Sequence, residues 1–193
     1  GQELVRTLEA VFGEDRVVAS DIDPEKGMYL PNGHFEPLNV FASDRMDSIV
    51  RRYNIKQIYH LAAILSADGE VDAQTVYGIA KSAGELWRNY YWQKFGLDVR
   101  CLRYPGLIGH GCLPSGGTTD YAVDIYHHAV KGQPFTCFLS RDTQLPMCYM
   151  PDAVKAAIDL MRVPKNKIRV RTGYNLQGMS FTPAEVLRSI RRF

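Results

Sequence analysis

Tyr77 and Lys81 are the residues of this chain whose types and spacing are best suited to chemistry. They open an amphipathic stretch that we expect to be helical as far as about Phe95, and residues four apart on a helix share a face. An ammonium held beside a phenol favours the phenolate and lowers the pKa of the tyrosine from its usual value near ~10. Such a tyrosine accepts a proton near neutral pH, which is the proton half of an alcohol–ketone redox reaction.

The spacing of this pair does not identify it by itself. The chain contains 11 tyrosines, and Tyr90 and Lys94 repeat the same spacing later on the same expected helix. The second pair projects to a different face. Tyr77 alone lies at the entry of the helix, directly after a polar loop, where a pocket can reach its hydroxyl group.

The elements before this helix follow an α/β pattern. Residues 1–12 are expected to form a helix and residues 16–20 a buried strand, which Asp21 follows. A separation of ~20 residues between Gly1 and this acid is typical of a dinucleotide-binding βαβ unit, in which the acid binds the adenosine ribose. A glycine at a helix start also lets pyrophosphate approach the backbone N–H groups. The alternative is that Asp21 is an ordinary turn acid.

Further elements continue the α/β pattern, but one expected crossover helix and strand are absent. We expect strands at residues 35–40 and 57–63, a helix at 44–53, and a strand at 98–104 that ends at Pro105. Ala62 and Ala63 either let a cofactor lie close to the backbone or pack a helix on the sheet. Only six residues separate Glu70 from Tyr77, which is too short for a crossover helix and another strand. We therefore expect a middle segment, and the first strand before Gly1, to be missing from the sequence.

Composition excludes several functional classes. With 193 residues and 46% hydrophobic content, the chain can form one sizeable core. A formal net charge of +2 with mixed signs argues against a nucleic-acid surface. The four cysteines form no CxxC pair and no zinc-finger spacing, and no apolar stretch has the length of a membrane span. We expect no metal, no nucleic acid and no membrane among the partners.

Four segments occur in the order typical of extended short-chain dehydrogenases/reductases: Gly1 to Asp21, His60-Leu61-Ala62-Ala63, Tyr77-x-x-x-Lys81 and Arg103-Tyr104-Pro105-Gly106. Four other blocks narrow the resemblance to one branch, the short-chain, epimerase-like type of L-threonine 3-dehydrogenase. These blocks are residues 65–70, 116–122 (Gly-Gly-Thr-Thr-Asp-Tyr-Ala), 145–150 and 174–183.

The resemblance implies oxidation of L-threonine at C3 to L-2-amino-3-oxobutanoate, a step of threonine catabolism, with NAD as cofactor. Tyr77 would take the proton from the substrate hydroxyl group, and Lys81 would bind the nicotinamide ribose and keep Tyr77 acidic. Ser66, Thr118 and Thr119 would bind the ammonium and carboxylate groups of the substrate. Hydroxyl side chains in loops also act as simple caps, and that interpretation stays open for each of the three.

The resemblance also implies which residues bind the cofactor. Asp21 would bind the adenosine ribose and repel the 2′-phosphate of NADP. The remaining positions that the resemblance assigns to the cofactor are Gly1, Ile22, Asp23, Asn39, Val40, Leu61, Ala62, Ala63, Tyr77, Lys81, Pro105 and Leu107.

The chain departs from the family in two ways. The catalytic Ser or Thr of the family falls in the stretch missing before Val71, and most of the glycine loop lies before Gly1. We favour an omission from the sequence over a true deletion, because loss of a sheet strand would expose the apolar faces of its neighbours. Two other functions remain open: an NAD-dependent nucleotide-sugar epimerase or dehydratase, and a catalytically silent NAD-binding module.

The expected architecture is a doubly wound parallel sheet with a small C-terminal part that caps the substrate. Residues 1–112 would form the dinucleotide-binding part, incomplete and discontinuous, and residues 113–193 mainly the substrate-binding part with returning sheet elements. Enzymes of this class commonly pair through the tyrosine-bearing helix, so we expect a homodimer. Trp87, Tyr91 and Trp92 are candidates for that contact; the alternative is that they pack in the core of their own chain, as aromatic residues at helical spacing more often do. The compartment would be the mitochondrial matrix in a eukaryote and the cytoplasm otherwise.

Overall fold

The computed structural model describes residues 1–30, 33–61, 76–111, 114 and 117–192, with the side chain of Tyr77 left aside. The chain divides into two compact units, an N-terminal unit (Gly1–Ile64) and a C-terminal unit (Leu65–Phe193). The functional division expected at residues 112/113 stays a prediction.

The N-terminal unit alternates helices and strands: α1 (Gln2–Phe12), β1 (Val18–Asp21), β2 (His34–Pro37) and α2 (Ser43–Arg52). Helix α1 forms because Leu4 and Leu8, one turn apart, are both buried on one face. It ends at Gly13, whose φ of 93° is a conformation that a residue with a side chain rarely adopts. The expected helix over residues 1–12 is thereby confirmed. The expected strand is present but starts at Val18, because Glu14–Arg16 form a 3-10 helix, and it includes Asp21 as its last residue. Its side chains are half-buried or exposed, so the expected burial is wrong.

Strands β1 and β2 pair in parallel, with Asp21 opposite Pro37. Their carboxyl ends therefore lie side by side, where a doubly wound sheet binds its ligands. Glu36 on β2 is only 6% exposed. Its carboxylate is bound by Arg45 and Arg52 of α2, at 2.8 and 3.0 Å, and by the hydroxyl group of Tyr53 at 2.8 Å. These contacts to the buried Glu36 hold α2 against the strand that ends beside Asp21.

The C-terminal unit carries the longest helix and most of the strands. Its elements are α3 (Val76–Phe95), β3 (Leu102–Arg103), β4 (Gly106–Ile108), α4 (Tyr121–Val130), β5 (Leu145–Tyr149), α5 (Met150–Arg162), β6 (Tyr174–Asn175), β7 (Met179–Phe181) and α6 (Pro183–Ile190). The β3–β6 and β4–β5 pairs are parallel, and β7 adds an antiparallel edge to β5. The expected α/β class with parallel strands is confirmed.

The core of the C-terminal unit is centred on four buried side chains, those of Tyr121, Ala122, Met147 and Val186. They join α4, β5 and α6. A capping box starts α6: Thr182 accepts a hydrogen bond from the Glu185 N–H, and Glu185 accepts one from the Thr182 N–H. Because Tyr121 and Ala122 belong to this core, helix α4, which follows the Thr118–Thr119 turn, packs against β5 and α6.

Three further expected strands differ in the structure. The expected 35–40 strand is observed as His34–Pro37 and ends before Leu38. Residues 57–61 of the expected 57–63 strand are not part of any sheet, because no neighbouring strand pairs with them among the described residues. The expected 98–104 strand is reduced to Leu102–Arg103. Pro105 lacks the N–H group that would continue the ladder, so the chain resumes pairing only at Gly106, with a different partner strand.

Candidate active site

Asp21 lies exposed at the carboxyl end of β1. Its Oδ1 accepts a hydrogen bond from the Asp23 N–H at 3.1 Å, which fixes the carboxylate over its own turn. Among the described residues nothing binds its second oxygen, which stays available for a ribose hydroxyl group. The carbonyl group of Asp21 also accepts a hydrogen bond from the Leu38 N–H at 2.8 Å. The parallel pairing therefore brings Asp21 next to the segment that leads to Asn39.

The other candidate adenosine-binding residues are also accessible. Ile22 is 69% exposed and Val40 is exposed, as an adenine ring that stacks between side chains requires. Asn39 accepts a hydrogen bond from the Phe41 N–H at 3.0 Å, and Asp23 caps the short 3-10 helix Pro24–Tyr29 by accepting one from Glu25 at 3.0 Å. Both side chains shape the loops after β1 and β2.

Gly1 is exposed and is the N-cap residue of α1, with no side chain hydrogen-bonded as a cap. The expected contact of Gly1 with a pyrophosphate stays a prediction. Two features of the N-terminal unit fit a dinucleotide: an acid with an available oxygen, and exposed apolar side chains. Leu61 is exposed, whereas Ala62, Ala63 and Ser66 lie outside the described residues.

Tyr77 and Lys81 lie one turn apart at the start of α3, as the spacing predicts. The side chain of Tyr77 lies outside the described atoms, and Lys81 is exposed. Burial raises the pKa of Cys101, just before β3, and Lys81 is among the nearby charges that oppose this shift.

An ion pair one turn after Lys81 anchors α3 to the strands. Arg103 of β3 binds both oxygens of Glu85, with Nε 2.6 Å from Oε1. Arg103 also donates to the Asn175 side chain of β6 at 3.2 Å. The hydrogen bond from Arg103 is the main reason that the pKa of Glu85 lies below its ordinary value. The ion pair fixes the rotation of α3, and with it the face that carries Tyr77 and Lys81.

The segment expected to contact the nicotinamide follows directly. Pro105 links β3 to β4, and Leu107 is the half-buried middle residue of β4, paired with Cys148. The preceding Tyr104 donates a hydrogen bond from its hydroxyl group to the Ala153 carbonyl at 3.4 Å, and burial raises its pKa. Tyr104 is thus held in the protonated form and is unsuited to act as a base.

A tight turn holds Thr118 and Thr119 before α4. The Asp120 carboxylate accepts a hydrogen bond from the Gly117 N–H at 3.0 Å, and the Asp120 N–H donates to the Gly117 carbonyl at 3.0 Å. Both threonines are half-buried. Sequence reasoning assigned no role to Asp120, although an acid three residues after a glycine at a helix start is a recognisable signal for such a turn.

The described residues offer no other obvious chemistry. Among them, no group of three His, Cys, Asp or Glu side chains is placed to hold a metal ion. Within the same ranges, no helix combines the length and apolar character needed to cross a membrane.

Known proteins similar to this chain agree on the family. The profile of the NAD dependent epimerase/dehydratase family matches residues 65–176. An uncharacterised epimerase/dehydratase from Staphylococcus aureus (strain USA300) is 36% identical to the chain, and the match covers 100% of the chain and 76% of that relative.

Solved structures of L-threonine dehydrogenases resemble the chain closely. The GalE-like L-threonine dehydrogenase from Cupriavidus necator, in its holo form, is 39% identical with a TM-score of 0.92, and the match covers 100% of this chain and 79% of that one. A partial consensus L-threonine 3-dehydrogenase is 40% identical with a TM-score of 0.91, covering 100% and 78%. Two predictions are thereby confirmed. The first is the resemblance to the epimerase-like, short-chain L-threonine 3-dehydrogenases, and the second is the Rossmann-type fold.

The match to the Staphylococcus relative also bears on the expected gap. It extends over 245 positions, whereas the chain has 193 residues, a difference of 52. The relative therefore has residues inside the matched span to which nothing in this chain corresponds. Part of the matched span is therefore absent from this chain, and the expectation that it is one segment before Val71 stays a prediction.

Proposed function

The chain belongs to the NAD-dependent epimerase/dehydratase family, and we propose that it oxidises L-threonine at C3 to L-2-amino-3-oxobutanoate. The observation that carries the proposal is the placement of Tyr77 and Lys81 at the start of α3, in the same unit as the turn of Thr118 and Thr119. The L-threonine dehydrogenase structures at 39% and 40% identity support the choice of substrate.

Each residue has a distinct task in this reaction. Tyr77 takes the proton from the 3-hydroxyl group of the substrate, and Lys81 favours the phenolate and binds the nicotinamide ribose. Asp21 binds the adenosine ribose, and Leu107 lies against the nicotinamide. NAD, as the cofactor of this family, accepts hydride from C3 when bound. Thr118 and Thr119, with Ser66, bind the ammonium and carboxylate groups and hold C3 in the reactive position.

A second candidate reaction is epimerisation or dehydration of a nucleotide sugar. The name of the Staphylococcus relative favours it, since that protein is an uncharacterised epimerase/dehydratase. Both reactions use the same tyrosine and lysine, so only the substrate separates them. The presence of Tyr77 and Lys81 argues against a silent NAD-binding module, because such a module has no chemical need for these two residues.

In this proposal the protein is a homodimer that pairs through α3. Trp87 and Tyr91 are exposed there, whereas the ring of Trp92 is covered by the Arg171 guanidinium at 3.7 Å. The pairing surface therefore centres on Trp87 rather than on Trp92. The compartment in this proposal is the mitochondrial matrix in a eukaryote and the cytoplasm otherwise.

The substrate is tested by following NADH formation by the full-length protein. L-threonine with NAD⁺ is compared with L-allo-threonine and L-serine. A UDP-sugar is incubated in parallel and its products are separated by chromatography, because epimerisation and dehydration return the hydride and yield no net NADH. We expect rapid turnover of L-threonine alone. Turnover of the UDP-sugar in place of L-threonine would support the epimerase function, and NAD⁺ binding without any turnover would support the silent module.

The proton acceptor is tested by Tyr77→Phe. Loss of a positioned base typically costs ~10²–10⁴-fold in rate, and we expect kcat to fall by that amount at pH 8 with NAD⁺ binding unchanged. The matched control is Tyr90→Phe, which removes the hydroxyl group of the other tyrosine at the same spacing and should leave turnover nearly unchanged. Equal losses in the two variants would exclude Tyr77 as the specific base.

A further inference from the structure

Gly106, the first residue of β4, lies directly against Thr119. A Cβ placed on Gly106 would fall 2.4 Å from Thr119 Cγ2 and 2.7 Å from Thr119 Cβ. It would also fall 2.6 Å from the sulfur of Met147, its partner in the β4–β5 ladder. The methyl group of Thr119 thus occupies the space that any other residue at position 106 would fill.

This contact determines where the Thr119 hydroxyl group points. Threonine is branched at Cβ, so its methyl and hydroxyl groups rotate together about one bond. Once the methyl group is seated on Gly106, the hydroxyl group has one direction left. An ordinary side chain at position 106 would push the methyl group out and rotate the hydroxyl group with it.

The surroundings of Thr119 prevent the turn from moving away. Asp120 holds the turn through the Gly117 N–H at 3.0 Å, and the Ala122 N–H donates to the Thr119 carbonyl at 3.2 Å. Behind Gly106, Met147 is fully buried. The backbone of Thr119 and the back of β4 are therefore both fixed, and a new side chain between them must displace the Thr119 side chain together with the Met147 sulfur.

We propose that Gly106 is a specificity-determining position: its missing side chain seats the methyl group of Thr119 and aims the Thr119 hydroxyl group at the amino-acid end of the substrate. The inference rests on the proposed function. Gly106 also lies between the expected substrate site and the expected cofactor site of this unit, since the next residue is Leu107, the expected nicotinamide contact. Gly106 acts through Thr119 and is a positioning residue.

The test is Gly106→Ala with kinetics for both substrates. We expect KM for L-threonine to rise about tenfold or more, because a small misplacement of a binding group is costly in an ordered site. KM for NAD⁺ should change roughly twofold at most, since the binding of free cofactor does not use Thr119. The control is Gly84→Ala on α3, where a new Cβ meets only Arg88 at 3.5 Å and should leave both constants unchanged.

A second variant separates positioning from misfolding. Thr119→Ser removes Cγ2, the nearer of the two Thr119 atoms, and leaves a hydroxyl group that can rotate. Alone it should raise KM for L-threonine roughly twofold to threefold. Combined with Gly106→Ala it should recover part of the lost affinity, so that the double variant binds L-threonine better than Gly106→Ala alone. Additive losses, or an unchanged KM in Gly106→Ala, would overturn the proposal.

The contact can also be tested without substrate, by measuring the melting temperatures of the native protein, Gly106→Ala, Thr119→Ser and the double variant. If the contact is as described, Thr119→Ser should destabilise the native protein but stabilise the Gly106→Ala variant. Should the native protein fail to oxidise L-threonine while this coupling is seen, the proposed function and the specificity role both fail, and the contact alone stands. Should the native protein be active without the coupling, only the role of Gly106 fails.

Discussion

At the scale of single residues, Asp21 is the residue that we propose selects the cofactor. The carboxylate is exposed and fixed at 3.1 Å from the Asp23 N–H, so its charge stands where a ribose would bind. Replacement by alanine removes a hydrogen bond to a charged group, worth about 1.5–3 kcal/mol, and removes the repulsion of a 2′-phosphate. For Asp21→Ala we expect about tenfold weaker NAD⁺ binding and a smaller preference for NAD⁺ over NADP⁺.

Binding of both cofactors can be measured by calorimetry or by the rise in melting temperature that they cause. Asp47→Asn is the control, because Asp47 is an exposed acid on α2 of the same unit and carries no expected contact. An unchanged NAD⁺/NADP⁺ preference in Asp21→Ala would leave Asp21 as an ordinary turn acid.

The residues of the site differ in how far their sequence reveals them. Asp21 could be predicted because it comes at the end of a strand about twenty residues after a glycine, and Lys81 because its spacing from Tyr77 is that of a helix turn. Both signals are local in the sequence. The seat of Thr119 on Gly106 joins residues that are distant in sequence and distinguishes one glycine of 16. No local pattern contains that information, because the contact exists only once β4 and the turn before α4 are packed.

At the scale of elements, the position of α3 depends on the Glu85–Arg103 ion pair. The folded protein lowers the pKa of Glu85 below 4.5, mainly through the hydrogen bond from Arg103. The pair therefore stabilises the fold above the ordinary pKa of glutamate, and this stabilisation is lost as the pH falls through the lowered pKa. Because the Arg103 side chain is 37% exposed, water screens the pair, and Glu85→Gln should cost only about 1 kcal/mol at pH 7.

This cost is measured as the difference in the free energy of unfolding between Glu85→Gln and the native protein, at pH 7 and again at acidic pH. The difference should shrink towards zero at low pH, because the native glutamate is then neutral as well. Glu14→Gln, which replaces an exposed acid on the N-terminal unit, is the control for the substitution itself. A pH-independent difference for Glu85→Gln would assign the effect to packing.

Helices were more predictable than strands for a physical reason. Helix α3, Val76–Phe95, is made by hydrogen bonds within its own segment and is ended by Gly96, so local sequence suffices. A strand needs a partner from elsewhere in the chain. Residues 57–61 have strand-like composition but no paired neighbour among the described residues, and Pro105 divides what the apolar pattern presents as one strand.

At the scale of the whole molecule, the exposed apolar face of α3 is expected to bury itself against a second copy. Leu86 is 70% and Trp87 59% exposed, and both line a shallow groove with Ala83 and Tyr90. Trp87→Glu would place a charge in that contact without a partner, which is costly. We expect the variant to be monomeric by sedimentation under conditions in which the native protein is a dimer.

The control for this variant is Val130→Glu, which introduces the same charge at a side chain that is 89% exposed at the end of α4. It should leave the sedimentation of the native protein unchanged. A monomeric native protein, or a dimeric Trp87→Glu variant, would contradict pairing through α3.

Both tryptophans of the chain lie on α3, so the intrinsic tryptophan fluorescence arises entirely from the helix that carries Tyr77 and Lys81. The two indoles have opposite surroundings: Trp87 is open to solvent, and Trp92 is stacked under a guanidinium with Lys165 4.8 Å from its ring centre. In the unpaired chain, a soluble quencher should therefore reach Trp87 and spare Trp92. The helix to which we assign the proton chemistry thus contains its own optical probe, and no dye needs to be attached to follow it.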